Sequence, residues 1–217
     1  MNIQTLHQKI YTVGRITPTG VKLLGTCFSL NERGLFATAS HVTNNDNTNL
    51  VIFITNNTDL TTYQDTSNNS GQTIPVSIYK VDPIRDICIL QVEQNVFSDL
   101  VIGGSDDTNV GENVGIVGFP HCVNGRNVLT YQNTEIGAKV LIESSGIKSK
   151  HLILNIQTRP GQSGSPIFRL SDSRVIGMII GSYVPNSGGS ISLGGIDPET
   201  LHQTTHAVST EYITKML

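Results

Sequence analysis

Ser163 lies in the run Arg159-Pro160-Gly161-Gln162-Ser163-Gly164-Ser165-Pro166-Ile167-Phe168, and its setting suits a nucleophile. Flanking glycines let a backbone turn sharply, lift one hydroxyl clear and leave nearby N–H groups unpaired. Gly, Ser and Pro also build ordinary turns, so the segment gains meaning only with partners. A serine hydroxyl attacks poorly at neutral pH unless a base takes its proton and a third group orients that base. Candidates for both lie upstream. His41 follows the apolar run Leu35 to Ala39 and stands just before a polar loop. Asp86 directly precedes the β-branched run Ile87 to Val92, with Asp82 of the turn Asp82-Pro83 as the competing carboxylate. The chemistry such a set could do is acyl transfer, with the N–H groups of Gly161 and Ser163 as an oxyanion hole.

The three segments, in the order His, Asp, Ser, resemble the motifs of the trypsin/chymotrypsin-like serine peptidases. Thr38-Ala39-Ser40-His41 resembles the family's Thr-Ala-Ala-His, and Asp86-Ile87-Cys88-Ile89-Leu90 its Asp-Ile-Ala-Leu-Leu. Gly161-Gln162-Ser163-Gly164-Ser165-Pro166 resembles its Gly-Asp-Ser-Gly-Gly-Pro, and is nearer still to the Gly-Asn-Ser-Gly-Ser-Pro of bacterial glutamyl endopeptidases. High-temperature-requirement proteases are a second similar group. The resemblance implies a serine endopeptidase built from two six-stranded antiparallel β-barrels, acting on protein or peptide substrates. A pseudo-protease serving as a protein-binding module is the alternative, against which the intact set of three speaks.

The same resemblance maps a pocket for the residue before the scissile bond onto Gln157, Thr158, Ile179, Ile180, Gly181 and Ser182. No aspartate lies there, which disfavours substrates cut after Arg or Lys. Glutamyl endopeptidases pair a threonine with a histidine; Thr158 is present, but Ile179 replaces the histidine, so an apolar or small polar side chain is expected. Gln162 stands where animal relatives carry the aspartate that pairs with a newly cut N-terminus. An amide cannot form that ion pair, so control would come from elsewhere, such as a regulatory protein partner; the Gly/Ser-rich segment Pro185 to Pro198 reads equally as a cover over the cleft or as a passive surface loop.

Composition narrows the field further. The chain has 217 residues and a formal net charge of −3, with no basic face of the kind nucleic acid demands. Charged residues are 14% of the chain, against about a quarter in an average globular protein, while Asn, Thr and Ser supply the polarity of strand-joining loops. No apolar stretch approaches the roughly 20 residues of a membrane span, so no membrane partner is expected, and no leader-like start is present, which leaves export to the case of a leader already removed. Three cysteines, Cys27, Cys88 and Cys122, do not form an even disulfide framework, and the simplest expectation is a reducing, cytoplasmic location. His7, His121, His151, His202 and His206 lie in no motif like that of His41. With no metal-ligand spacing among histidines and cysteines, neither metal nor cofactor is expected.

Alternation and turn residues predict strands near 9–14, 21–30, 35–39, 50–55, 73–81 and 86–92, forming a first barrel within 1–94. A linker at 95–110 leads to strands near 113–118, 127–131, 136–143, 151–158, 165–170, 174–182 and 204–209, a second barrel within 111–208. The tail 209–217 reads as a helix with Ser209 as N-cap.

Overall fold

The computed structural model describes residues 8–31, 34–56, 59–94, 98–183 and 204–217. Its first half contains β1 (Ile10–Thr17), β2 (Gly20–Ser29), β3 (Leu35–Ala39), the single turn α1 (Ser40–Thr43), β4 (Leu50–Thr55), β5 (Gly71–Pro75), β6 (Ser77–Asp82) and β7 (Ile87–Gln91). These strands form one antiparallel sheet in the order β5-β4-β1-β2-β3-β7-β6. Where one strand is predicted near 73–81, the chain breaks at Val76. Pro75 has no N–H to continue a ladder, and Val76 N–H instead donates to Leu50 O at 3.1 Å. Strands β5 and β6 are therefore opposite edges of the sheet joined by one residue, which rolls it into an open half-barrel of seven strands rather than a closed one of six. Between Ile78 and Lys80 a bulge interrupts the pairing of β6, and the Lys80 ammonium bonds Met216 O at the C-terminus.

The second half does close. Strands β8 (Asn113–Gly118), β9 (Thr130–Ser144), β10 (Ile147–Leu154), β11 (Pro166–Arg169), β12 (Val175–Tyr183) and β13 (Thr204–Ser209) make a barrel in the order β10-β13-β12-β11-β8-β9. The two strands predicted near 127–131 and 136–143 are one 15-residue strand, because β9 pairs with β8 along its first part and with β10 along the rest. Ser145 and Gly146 both have positive φ, 52° and 77°, and make the two-residue hairpin turn from β9 to β10. Within the expected linker, Ile102 bridges in parallel to Val175.

Apolar packing falls into three clusters. One lies inside the first sheet, around Val13, Phe36, Ile52 and Leu90, and one inside the barrel, around Ile116, Leu152, Ile167 and Ile179. A third joins the halves, where Ile10, Phe28 and Leu30 meet Phe119, Phe168 and Ile213. Each fully buried Phe or Ile contributes about 1.5–3 kcal/mol by leaving water. The helix α2 (Glu211–Met216) seals this junction with Tyr212 and Ile213. Its N-cap is Thr210 rather than Ser209, for Ser209 is still in β13 and its Oγ accepts Ser105 N–H at 3.1 Å.

His151 on β10 is 5% exposed and its Nδ1 has no partner among the described residues. Burial, with His206 and the Arg85 guanidinium nearby, pushes its pKa from 6.5 down to about 4. Folding therefore favours the neutral ring. The stability this gives is complete above about pH 6.5 and is lost as pH falls toward 4, by about 3 kcal/mol at most. Urea midpoints at pH 7 and pH 4.5 should show the fall, and His151→Leu should flatten it.

Candidate active site

Each of the three expected side chains is presented by a different local device. His41 rides on α1, which begins as β3 ends and stops at Asn44 and Asn45, both left-handed. Asp86 has φ +58°, a conformation Asp tolerates better than most residues, and then enters β7. Its carbonyl accepts Ser40 N–H at 3.0 Å. Because β3 and β7 are paired neighbours, with Ala39 opposite Ile87, the residues that follow the one and precede the other arrive side by side.

The carboxylate of Asp86 meets His41 twice. Oδ1 accepts the His41 backbone N–H at 2.9 Å and Oδ2 lies 2.6 Å from Nδ1. On the far side of the ring, Nε2 lies 2.8 Å from Ser163 Oγ. Asp82 is occupied otherwise, capping Ile84 and Arg85 N–H groups and pairing with the Arg85 guanidinium at 2.6 Å. The arrangement can pass the Ser163 proton to Nε2 while Asp86 holds the ring's tautomer and balances the imidazolium.

Ser163 directly follows one turn and lies within a second. Pro160 and Gly161 occupy the centre of the first, closed by Gln162 N–H to Arg159 O at 3.0 Å; with Gly161 at φ +98° it has the form of a type II turn. Pro160 O accepts the His121 N–H at 2.6 Å, which fixes the orientation of the peptide between them. A Cβ on Gly161 would lie 2.6 Å from Phe119 O, so no other residue fits. The second turn is closed by Ser165 N–H to Gln162 O at 2.9 Å. At its Gly164, φ is +87° and a Cβ would fall 2.0 Å from Thr26 O. Among the described residues nothing accepts the N–H of Gly161 or of Ser163, which leaves both free for a developing negative charge.

Sequence reading missed the residues that hold these turns. Thr26 on β2 is fully buried, and its Oγ donates to Gly161 O at 2.8 Å while accepting Phe119 N–H at 3.1 Å. Its own N–H donates to Ser163 O at 2.9 Å. A lone threonine in the apolar run Leu23 to Phe28 was the available signal. Gln162, also fully buried, accepts Arg159 N–H at 2.7 Å and bonds Gln132 on β9, so its amide braces the turn.

The expected pocket residues are less uniform. Thr158 is buried beside Thr205, with its N–H 3.0 Å from Thr205 Oγ1. Gln157 is half-buried. Ile179 points its side chain into the barrel core and meets the site only through its backbone, accepting Gly164 N–H at 2.8 Å. At Ile180 the pairing with β13 bulges, and Gly181 and Ser182 continue β12. The segment Pro185 to Pro198 lies outside the described residues, as do His7 and His202.

Comparisons with known proteins bear on the family and the fold. Residues 25–178 match the model of the trypsin-like peptidase domain. A probable periplasmic serine endoprotease, DegP-like, of Halomonas elongata is 26% identical over 174 residues, covering 78% of this chain and 31% of the relative. Its Pseudomonas fulva counterpart is 25% identical over the same span. The chain thus spans about a third of the length of these curated relatives. Among solved structures, the MamO protease domain of Magnetospirillum magneticum superposes with TM-score 0.69 at 12% identity, covering 98% of this chain and 97% of that one. The active form of the Rv3671c protease from M. tuberculosis gives 0.67 at 16%, covering 97% and 80%.

The periplasmic relatives overturn the expected cytoplasmic location. The cysteine argument failed for a physical reason: Cys27, Cys88 and Cys122 are free, buried and apart, and burial raises all three thiols, Cys88 to about 11 and Cys122 to about 12. Protonated, shielded thiols resist oxidation in any compartment. The matched relatives also belong to the high-temperature-requirement group rather than to the glutamyl endopeptidases. By the match across its central span, the chain belongs to the trypsin-like serine peptidase family.

Proposed function

We propose that the chain cleaves peptide bonds in protein substrates through His41, Asp86 and Ser163, in a periplasmic or secreted setting. The observation that carries this reading is the unbroken line from Asp86 Oδ2 through His41 to Ser163 Oγ, with links of 2.6 and 2.8 Å. His41 Nε2 takes the Ser163 proton as Oγ bonds the scissile carbonyl carbon. The oxyanion is received by the N–H groups of Gly161 and Ser163, each worth about 2.7–4 kcal/mol. The imidazolium returns the proton to the leaving amine, and water then frees the acyl group by the same route.

Gln157, Thr158, Ile180, Gly181 and Ser182 contribute no charge, which favours an apolar or small polar residue before the scissile bond. A proteome-derived peptide library read by mass spectrometry tests both statements. Cuts after such residues are expected; dominant cleavage after Arg, Lys or Glu would remove the specificity, and a library left whole would remove the peptidase reading.

Thr26 is a positioning residue in this scheme, since it touches neither substrate nor the reacting atoms. Thr26→Val keeps the shape but releases Gly161 O and strands the Phe119 N–H, a cost of about 1–3 kcal/mol. Loosening the oxyanion turn should lower kcat by about 10²-fold with little change in KM. Thr26→Ser, which restores the hydroxyl, should recover most of the rate.

A further inference from the structure

The three reacting side chains are not carried by one half of the molecule. His41 and Asp86 belong to the first sheet, whereas Ser163 lies between β10 and β11 of the barrel. The 2.8 Å approach of His41 Nε2 to Ser163 Oγ is therefore only as accurate as the seating of one half on the other. Thr26 fastens the Ser163 end of this line, through its bonds to Gly161 O and Ser163 O. At the other end, the hydrogen bonds of the Asp86 carboxylate among the described residues both run to His41, within the same half. The residue just before Asp86 makes the crossing instead.

Arg85 reaches from the turn between β6 and β7 to α2. Its guanidinium carbon stands 4.3 Å from the centroid of the Tyr212 ring, inside the roughly 6 Å over which a cation is drawn to an aromatic face. Arg85 Nε is buried with no hydrogen-bond acceptor among the described residues, so the electron-rich ring takes the place of the water it has lost. Both members of the stack are held from behind. Asp82 Oδ2 pairs with Arg85 Nη1 at 2.6 Å while Asp82 Oδ1 accepts the Arg85 N–H at 3.2 Å, which folds the long side chain across its own turn. Tyr212 is 8% exposed, and its hydroxyl accepts the Lys150 N–H of β10 at 2.9 Å. Lys80 on β6 adds a second tie, from its ammonium to Met216 O at the end of α2. This path from the barrel through α2 to Arg85 ends one peptide bond from Asp86, whose backbone at φ +58° occupies a narrow region of conformational space. A shift of Arg85 is thus passed on to the carboxylate.

We propose that the stack of Arg85 on Tyr212 is a positioning device for the reaction: it registers Asp86, and through it the His41 ring, against Ser163. Neither residue touches the reacting atoms, and the proposal rests on the peptidase reading above. Without the stack the Arg85 side chain regains rotamer freedom, and the pair of Asp86 and His41 samples positions in which Nε2 no longer meets Oγ. The loss falls on kcat and spares KM, because the strands and turns that would hold the substrate are untouched.

Steady-state kinetics of the full chain, on a peptide that the library shows to be cut, test this. Arg85→Gln removes the cation from a side chain that is 22% exposed, and should lower kcat by about ten- to thirtyfold with KM changed by less than about twofold. Tyr212→Leu should do the same, and the double variant should be no slower than either, since the two side chains act as one unit. Tyr212→Phe keeps the ring face and gives up only the bond to Lys150, so it should retain most of the rate. Lys215→Gln is the control. That ammonium also lies near the ring, 5.1 Å from its centroid, but it is exposed and pairs with Glu211 of its own helix, so kcat should not change. If Tyr212→Leu does not fold, Arg85→Gln decides alone. Wild-type kcat in Arg85→Gln, a loss confined to KM, losses that multiply in the double variant, or a Tyr212→Phe enzyme as slow as Tyr212→Leu would overturn the inference and leave the peptidase reading intact. Wild-type protein that cuts no peptide would overturn both.

Discussion

Ser163→Ala is expected to abolish peptide hydrolysis, by about 10⁶-fold, and with it all labelling by a fluorophosphonate probe. The probe phosphonylates the serine oxygen with loss of fluoride, so it reports the nucleophile itself and needs no knowledge of the substrate. The hydroxyl is half-buried and its side-chain partner in the structure is His41 Nε2, so its loss leaves the turns, Thr26 and the barrel core as they are. An unchanged thermal midpoint beside vanished labelling would therefore place the defect in chemistry and not in folding. Labelling that survives in the variant would mean that another residue carries the reaction, and wild-type protein that never labels would support the binding-module alternative.

Asp86→Asn should be nearly as damaging, about 10⁴-fold in kcat. Asparagine suits the left-handed backbone at this position as well as aspartate does, so the conformation at φ +58° gives no reason for misfolding. What changes is the proton inventory. The amide can donate its N–H to His41 Nδ1, selecting the tautomer in which Nε2 carries the hydrogen and has no lone pair for Ser163. Measured kcat and KM should show the loss in kcat, and Asp82→Asn should cost far less because that carboxylate only caps its own turn and pairs with Arg85. A larger loss at position 82 than at 86 would reverse the assignment.

The site residues were legible because each stands in a short motif that records its own local geometry. His41 follows a strand, Asp86 precedes one, and Ser163 lies between glycines whose positive φ values the structure requires. The meetings of Thr26 with Gly161 and of Gln162 with Gln132 were not legible: a lone threonine in an apolar run hints at burial, but the partners lie 135 and 30 residues away and no local pattern records which groups meet. Strand boundaries blurred for a related reason. Gln132-Asn133-Thr134 looks like a turn by composition, yet pairing with β8 holds it extended. The break at Val76 is the opposite case, where one proline and a switch of partner outweigh a continuous β-like run. Cysteine count misled because it records number and not burial.

The meeting of β5 and β6 at Val76 also bears on how this chain keeps to itself. An open sheet presents bare rungs at its two margins, which invite strands from other molecules and seed aggregates. Here one margin is five residues long and ends in proline, while the other is kinked by a bulge and carries a lysine tied to the C-terminus. A stray strand would find little to zip onto at either margin, a useful property for a protein whose relatives work outside the cytoplasm.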